Sequence, residues 1–336
     1  MMSAIFGLSG PVLTDEERAF FKNADPAGYI LFKRNCADPA QLKRLTDDLK
    51  AIHGRDDVAI LIDQEGGRVE RMQPPEWPAF PAMGRIAALY DTAPSSAIEA
   101  ARVNARAIGL MLAEAGVNVD CLPLLDVRQE GADNIIGDRA LGAEPMQVAA
   151  LGRAVLDGLA SAGIVGVVKH IPGHGRAMVD SHKELPVVTA GEDDLALDLE
   201  PFERLAQAPM GMMAHVVYTA WDADHPASQS ETVIRDIVRG RIGFDGFLMS
   251  DDINMEALDG DMGERAAGVV AAGCDAALHC SGKLDEMILV ANAVPALTAE
   301  GEARLARAMA TILAPDTGDL DFLAAVQKRD ALLELA

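Results

Sequence analysis

The sequence predicts a single domain with the (β/α)8 barrel fold, and three observations support this prediction. Eight short apolar runs alternate along the chain with segments that have the apolar period of an amphipathic helix. The run IVGVVK, residues 164–169, is apolar on both faces, as expected of a parallel strand covered by helices. The 336 residues suffice for one barrel of roughly 250 residues with insertions. An open, doubly wound sheet is the alternative, although no GxGxxG motif follows the first run.

The predicted strands and helices alternate along the whole chain. Apolar runs predict strands at Ala4–Leu8, Tyr29–Phe32, Val58–Ile62, Val117–Asp120, Ile164–Lys169, Gly211–Ala214, Gly246–Ser250 and Ala276–His279. Helical periodicity predicts helices at Pro39–His53, Ser95–Ala115, Pro145–Ala162, Leu195–Ala208, Glu231–Arg239, Thr298–Leu313 and Phe322–Leu335. No fixed-period repeat or low-complexity linker divides the chain. We therefore expect one domain over residues 1–336, with C-terminal helices after about residue 298.

Composition and charge exclude several classes of partner. The chain has 29 basic and 52 acidic residues, a net charge of −23, so phosphate backbones and anionic lipid surfaces would repel it. We expect no nucleic-acid partner and no membrane partner. The first residues lack the basic region of a signal peptide, and no run of 18 apolar residues occurs, so the expected location is the cytoplasm. The four cysteines form no CxxC pair and are expected to be reduced thiols.

Polar residues stand at the ends of most predicted strands. In a (β/α)8 barrel these positions converge on the rim where ligands bind. They are Asp63, Asp126, Lys169, His170, His215, Asp251, Asp252 and His279. Structural alternatives remain: an Asp after a strand often caps the next helix, and His215 or His279 can be a buried imidazole. We expect Asp251 to face inward, because Asp252 can cap the following segment. A Schiff base on Lys169 is disfavoured, because nearby acids would keep its amine charged.

The segment KHIPGHGRAMVDSHKELP, residues 169–186, is predicted to form a long polar loop over this rim. Its proline and glycines prevent a continuous helix, so His170 and His174 are not a zinc pair of the HExxH type, and we expect no metal. Asp180 and His182 are separated by one residue and point to the same side of an extended chain. The carboxylate can then orient the imidazole as a proton shuttle. A solvated loop pair without function is the alternative.

Five segments, in order along the chain, resemble those of a known family. They are LIDQEGGRVERM, IIGDRALG, KHIPGHGRAMVDSHKELP, MMAHVVYTAWD and RGRIGFDGFLMSDDINMEAL. Together they resemble glycoside hydrolase family 3, in particular its bacterial single-domain β-N-acetylhexosaminidases of the NagZ type. The likeness extends over Ile5–Cys280, and the Asp-Ser-His triplet after the PGHG segment is specific to this branch. The resemblance implies the same barrel fold.

The resemblance also implies a role for each matching residue. Asp251 matches the catalytic nucleophile, His182 looks like the general acid/base, and Asp180 looks like its partner in a dyad. The family likeness, extended by the strand-end pattern, assigns substrate binding to Asp63, Arg71, Arg139, Lys169, His170 and His215. It implies no cofactor.

The implied activity is that of a retaining, exo-acting β-N-acetylglucosaminidase, which removes terminal β-linked N-acetylglucosamine through a covalent glycosyl-Asp intermediate. The expected substrate is a small carbohydrate, a peptidoglycan muropeptide fragment met during cell-wall recycling, and a monomer is favoured. Two alternatives stay open. One is a phosphorylase of the same family, which uses phosphate in place of water, and the other is a non-catalytic sugar-binding barrel.

Overall fold

Eight parallel strands close into a barrel in the computed structural model, which describes residues 1–181, 183–312 and 319–335. The strands across these residues are β1 (Met2–Gly7), β2 (Pro26–Leu31), β3 (Ala59–Ile62), β4 (Val119–Asp120), β5 (Val165–Ile171), β6 (Val187–Val188), β7 (Met210–Met213), β8 (Val217–Tyr218), β9 (Phe247–Asp252) and β10 (Ala276–His279). Around the barrel the order is β1-β10-β9-β7-β5-β4-β3-β2. The predicted (β/α)8 barrel is confirmed, and the doubly wound open sheet is wrong.

Helices surround the barrel and cover the outer faces of its strands. They are α1 (Asp15–Ala24), α2 (Pro39–His53), α3 (Met83–Tyr90), α4 (Pro94–Glu114), α5 (Pro145–Ser161), α6 (Glu192–Arg204), α7 (Met262–Ala272), α8 (Leu284–Ala293), α9 (Ala299–Met309) and α10 (Phe322–Leu333), with a further helical segment at Val233–Arg241. The predicted helix end at Leu313 lies outside the described residues. None of the helices that the structure describes combines the length and apolar character needed to cross a membrane.

The apolar side chains of the strands form an inner and an outer layer. In β3, Ala59 and Leu61 point into the barrel, whereas Ile60 and Ile62 pack outward beneath the helices. Both faces are therefore buried, which explains why the strands have continuous apolar runs. Leu305 of α9 joins the inner layer, so this helix covers the end of the barrel opposite the polar strand ends.

Two strands extend beyond their predicted ends, into the polar residues of the rim. β9 ends at Asp252 and not at the predicted Ser250, and β5 ends at Ile171 and not at the predicted Lys169. Main-chain pairing continues past the apolar run: the Ile171 carbonyl oxygen accepts from the Ala214 amide at 2.7 Å. Asp252 and Lys169 thus lie on strands, the more rigid part of the rim.

A short parallel pair of strands outside the barrel was not predicted. β6 follows the loop 172–186, and β8 lies in the segment after β7. Val187 pairs with Val217, and Val188 pairs with Tyr218. Strands of two residues have too little periodicity to be recognised in the sequence. This pair joins the loop after β5 to the segment after β7, beside the rim.

Candidate active site

A cavity of about 240 Å³ opens at the rim formed by the carboxyl ends of the strands. The predicted site residues that line it are Asp63, Arg71, Arg139, Lys169, His170 and Asp251. Phe32, Met212 and Leu278 contribute apolar wall. The cavity is therefore a small pocket lined by both charged groups and apolar side chains.

A tight turn after β3 brings Arg71 back to Asp63. The Gln64 side-chain oxygen accepts from the Arg71 amide at 3.0 Å and holds the turn closed. Gly66 has a φ of +96°, and a Cβ there would lie 2.3 Å from the Pro81 carbonyl oxygen, so the position requires glycine. As a result, Arg71 Nη2 lies 3.0 Å from Asp63 Oδ2.

Three cations and two carboxylates form a charged network beside the cavity. Lys169 Nζ lies 2.9 Å from Asp63 Oδ1 and 2.7 Å from Glu65 Oε1. The Arg139 guanidinium donates to both Glu65 oxygens at 2.8 Å, a bidentate pair. With Arg71 on Asp63, each carboxylate contacts two cations, and the network has a net charge of +1 within a chain of net charge −23.

Burial and charge act in opposite directions on this network. Burial alone would raise the pKa of Asp63, but Lys169 and Arg71 outweigh it and hold that pKa well below its usual value. Burial would lower the pKa of Lys169, but Asp63 and Glu65 outweigh it and raise that pKa above its usual value. Lys169 is therefore a cation, which argues against a Schiff base, because the attacking amine must be neutral. Such fixed donors and acceptors can bind several hydroxyl groups of one ligand.

Asp251 contributes an ionised carboxylate at the end of β9. Its Oδ1 accepts from the Asp252 amide at 2.8 Å, and its Oδ2 lies 3.9 Å from His170 Nε2. Burial raises the pKa of Asp251, but the His170 imidazole and the Asp252 amide help to bring it below its usual value. Burial instead raises the pKa of Asp252 to about 6, and its Oδ1 accepts from the Asn254 amide at 3.0 Å. Asp252 thus has a role in the turn after the strand.

Asp126 orients the His170 imidazole that faces Asp251. Asp126 is fully buried, and its Oδ2 accepts from His170 Nδ1 at 2.7 Å. Because Nδ1 is bound to Asp126, the other ring nitrogen, Nε2, is the one directed at the Asp251 carboxylate. Asp126 Oδ1 also accepts from the amides of His170 and His174, at 3.2 and 2.6 Å. One carboxylate therefore fixes both the ring and the backbone of this part of the site.

Two of the predicted strand-end histidines do not line the cavity. The His215 side chain is fully buried: its Nδ1 lies 2.6 Å from Ser228 Oγ, and its Nε2 donates to the Asp252 carbonyl oxygen at 3.1 Å. His279 Nε2 lies 3.2 Å from a Glu286 oxygen. The structure thus shows His215 as the buried imidazole of the alternative interpretation. Both of its ring nitrogens have protein partners, and the predicted substrate contact at His215 does not lie in the cavity lining.

The predicted Asp180–His182 pair is described in part. Asp180 lies in the loop 172–186, with its carboxylate 3.5 Å from Lys183 Nζ. His182 lies outside the described residues. Ser181, between them in the sequence, lines the cavity, so this turn of the loop reaches the pocket.

Sequence reasoning missed four charged or polar residues of the site. Glu65 belongs to the charged network, and Arg68, His174 and Ser181 line the cavity. Glu65 could have been predicted, because it lies only two positions after the strand-end residue Asp63. His174 and Ser181 had none, because their inward direction depends on how the loop folds.

The described residues offer no metal site and no reactive thiol. Among the described ranges, no group of three or more His, Cys, Asp or Glu side chains is placed to hold a metal ion. The four cysteines are free thiols. Cys280 lines the cavity, but burial raises its pKa well above the usual value, so its sulfur is not a ready nucleophile.

Known proteins resemble this chain in sequence and in fold. Beta-hexosaminidases from Alkalilimnicola ehrlichii and Bordetella avium are 39% and 38% identical to it over 286 and 279 residues. Each alignment covers 82% of this chain, and 80% and 79% of the respective relative. NagZ from Neisseria gonorrhoeae, solved with N-trifluoroacetyl-D-glucosamine, matches with a TM-score of 0.87 and 32% identity over 100% of this chain and 98% of that one.

A second solved structure supports the same relationship. A glycoside hydrolase family 3 beta-N-acetylglucosaminidase from Paenibacillus sp. matches with a TM-score of 0.82 and 31% identity, over 98% of this chain and 61% of that one. The family model described as the glycosyl hydrolase family 3 N-terminal domain matches residues 6–314. Because the matched range covers most of the chain, including the charged rim of the barrel, this chain belongs to glycoside hydrolase family 3.

Proposed function

We propose that this chain is a retaining, exo-acting β-N-acetylglucosaminidase, a glycoside hydrolase of the β-N-acetylhexosaminidase type. The observation that carries the proposal is the ionised Asp251 carboxylate, which lines the pocket beside the charged network and faces His170. A retaining glycosidase requires such a carboxylate as its nucleophile. The relatives named beta-hexosaminidase and NagZ support a substrate with a terminal N-acetylglucosamine.

In the first step, an oxygen of Asp251 attacks the anomeric carbon, and the bond from that carbon to the leaving oxygen breaks. A covalent ester between the sugar and Asp251 results. His182 donates a proton to the leaving oxygen, which departs as an alcohol. Asp180, two residues away, favours the protonated imidazole. An imidazole with an ordinary pKa of about 6.5 needs less adjustment than a carboxyl group to act as an acid near neutral pH.

In the second step, water cleaves the ester. His182, now neutral, accepts one proton from the water molecule, and the remaining hydroxide forms a bond to the anomeric carbon. The ester bond breaks, and Asp251 is again a carboxylate. Two displacements on opposite faces give a product with the original anomeric configuration.

The charged network and His170 supply the proposed contacts to the sugar hydroxyl groups. These contacts are Asp63, Arg71, Arg139, Lys169 and His170, all of which line the cavity. A volume of about 240 Å³ is below the range of about 300–1,000 Å³ for sites of drug-sized ligands. Such a pocket accommodates one sugar ring, which supports removal of a single terminal residue.

We further propose muropeptide fragments of peptidoglycan as the natural substrate, cleaved by a monomer in the cytoplasm during cell-wall recycling. Arg71 and Arg139 both bind carboxylates of the network, so neither is free to bind a carboxylate of the leaving group. Arg68 also lines the cavity; its Nε lies 2.9 Å from Asp138 Oδ1, and its side chain is 41% exposed. Because an exposed ion pair contributes little free energy, Arg68 is the cation that can most readily exchange its partner for an anionic leaving group.

The test is hydrolysis of an aryl β-N-acetylglucosaminide in phosphate-free buffer. We expect turnover by the wild type, collapse of turnover in Asp251→Ala, and a loss in His182→Ala that is smallest for the best leaving group. Asp259→Ala, which removes an exposed acid shortly after the same strand, is the matched control and should retain activity.

The same experiment separates the alternatives. Turnover that begins only when phosphate is added would identify a phosphorylase, and binding without turnover in either buffer would identify a sugar-binding barrel. Mass spectrometry after inactivation with a 5-fluoro glycosyl fluoride should find the sugar on the peptide that contains Asp251. A label on another residue would contradict the proposed nucleophile.

A further inference from the structure

Ser181 is a buried residue in a loop that also carries strongly exposed side chains. Its exposed fraction is 3%, whereas Met178 in the same loop is 65% exposed and the Lys183 side chain is 78% exposed. Exposed loops normally leave serine in water. The Ser181 side chain instead points down into the cavity wall, where its Oγ lies 3.3 Å from His174 Nε2 and 3.7 Å from Met255 Sδ.

The hydrogen bonds around His174 define the direction of this contact. His174 Nδ1 is buried and has no hydrogen-bond partner among the described residues. Burial, together with the neighbouring His170, lowers the pKa of His174, so the ring is neutral. A buried acceptor without a partner is more common than a buried donor without one, which places the proton on Nε2. Nε2 then donates to Ser181 Oγ, and the Ser181 hydroxyl donates to Met255 Sδ.

His174 is itself held in place by its backbone. Its amide donates to Asp126 Oδ1 at 2.6 Å, the same carboxylate that orients His170 toward Asp251. The next residue, Gly175, passes so close to the preceding strand-end segment that a Cβ would lie 1.9 Å from the Val127 carbonyl oxygen. The base of the loop is therefore fixed against the part of the site that faces the nucleophile.

We infer that His174 and Ser181 are positioning residues. Their contact holds the turn that contains Asp180 over the pocket, in a fixed position relative to the Asp251 carboxylate. The inference rests on the proposed function, because His182 follows Ser181 directly in the sequence. The contact from His174 to Ser181 connects the proposed acid/base turn to Asp126. Loss of this contact should misplace the proton donor while the nucleophile stays in position.

Two substrates with different leaving groups test this inference. N,N′-diacetylchitobiose requires protonation of its leaving oxygen, whereas 2,4-dinitrophenyl β-N-acetylglucosaminide does not. For Ser181→Ala and for His174→Phe, we expect kcat/KM to fall about 10- to 100-fold on the disaccharide and less than about 3-fold on the aryl substrate. His174→Gln, which can keep a donor near the Nε2 position, should recover part of the loss. Met178→Ala is the matched control in the same loop and should behave as the wild type.

A double-mutant cycle provides the second measurement. If the two residues act through their mutual contact, Ser181→Ala combined with His174→Phe should lose little more disaccharide activity than either change alone. Multiplicative losses, or equal losses on both substrates, would overturn the inference, as would full activity of Ser181→Ala. Retained activity on the aryl substrate shows that each variant is folded. A wild type that cleaves neither substrate would contradict the proposed function rather than the positioning role.

Discussion

Replacing Asp126 by asparagine removes one negative charge and leaves the size of the side chain almost unchanged. The asparagine oxygen can still accept from the amides of His170 and His174, as Asp126 Oδ1 does. Its NH2 group, however, would face the Nδ1–H of His170, where Asp126 Oδ2 now accepts at 2.7 Å. Two donors cannot pair, so the bond that orients His170 toward Asp251 would be lost. We therefore expect Asp126→Asn to lose both stability and activity.

The loss of stability follows from the pKa of Asp126. Burial would raise it, but His170 and His174 outweigh burial and lower it from 3.8 to about 2. The difference, 3.8 − 2, is about 1.8 units, which at 1.36 kcal/mol per unit gives about 2.5 kcal/mol. Because the folded pKa lies below the unfolded one, this stability is present above a pH of about 4 and is lost as the pH falls through about 2. Near pH 3 about half of it remains.

Urea unfolding of the wild type and Asp126→Asn at pH 7 and pH 3 measures this effect. We expect the variant to be less stable by about 2.5 kcal/mol at pH 7 and by about half as much at pH 3. Asp224→Asn removes an exposed acid and serves as the control, with no difference expected. Equal stability of Asp126→Asn and the wild type at pH 7, or a difference that stays constant down to pH 3, would refute the reasoning.

Three further changes test other parts of the site. Gly175→Ala places a Cβ 1.9 Å from the Val127 carbonyl oxygen and should lower the melting temperature, whereas Gly191→Ala, with nothing within 4 Å, should not. Glu65→Gln breaks a buried ion-pair network and should reduce the free energy of unfolding by about 3–5 kcal/mol in urea titrations; a loss below 1 kcal/mol would contradict this. Burial raises the pKa of Asp198 to about 6, so wild-type stability should fall as the pH rises from about 4 to about 6. Melting curves of Asp198→Asn should lack that fall.

The barrel and its polar rim could be predicted because both depend on local patterns. The run of residues 164–169 is apolar on both faces, and a strand buried between a barrel interior and a layer of helices requires this pattern. The polar residues directly after such runs converge for a topological reason, since parallel strands all end at the same rim. Asp63, Lys169 and Asp251 were found in this way, and all three line the cavity.

Which of the strand-end histidines turn inward could not be predicted, because this depends on tertiary contacts. His170 and His215 both come directly after apolar runs of the sequence or one residue later, yet His170 reaches the pocket and His215 is enclosed between Ser228 and the Asp252 backbone. The ion pairs of the site could not be predicted from the sequence either. Glu65 and Arg139 are 74 residues apart in the sequence, and the turn after β3 brings them together. The short strands β6 and β8 had no detectable pattern.

Pairing of β6 with β8 fixes the far end of the loop 172–186, whose near end continues directly from β5. Arg176, 2.5 Å from Asp198, adds a third attachment close to the start of the loop. Within the loop, the Asp133 amide donates to the Ala177 carbonyl oxygen at 3.0 Å, and Ser181 Oγ lies 3.3 Å from His174 Nε2. The described residues of the loop are therefore attached every few residues, and each span between attachments has little conformational entropy left to lose. We expect ligand binding in this protein to cost little additional ordering of the loop.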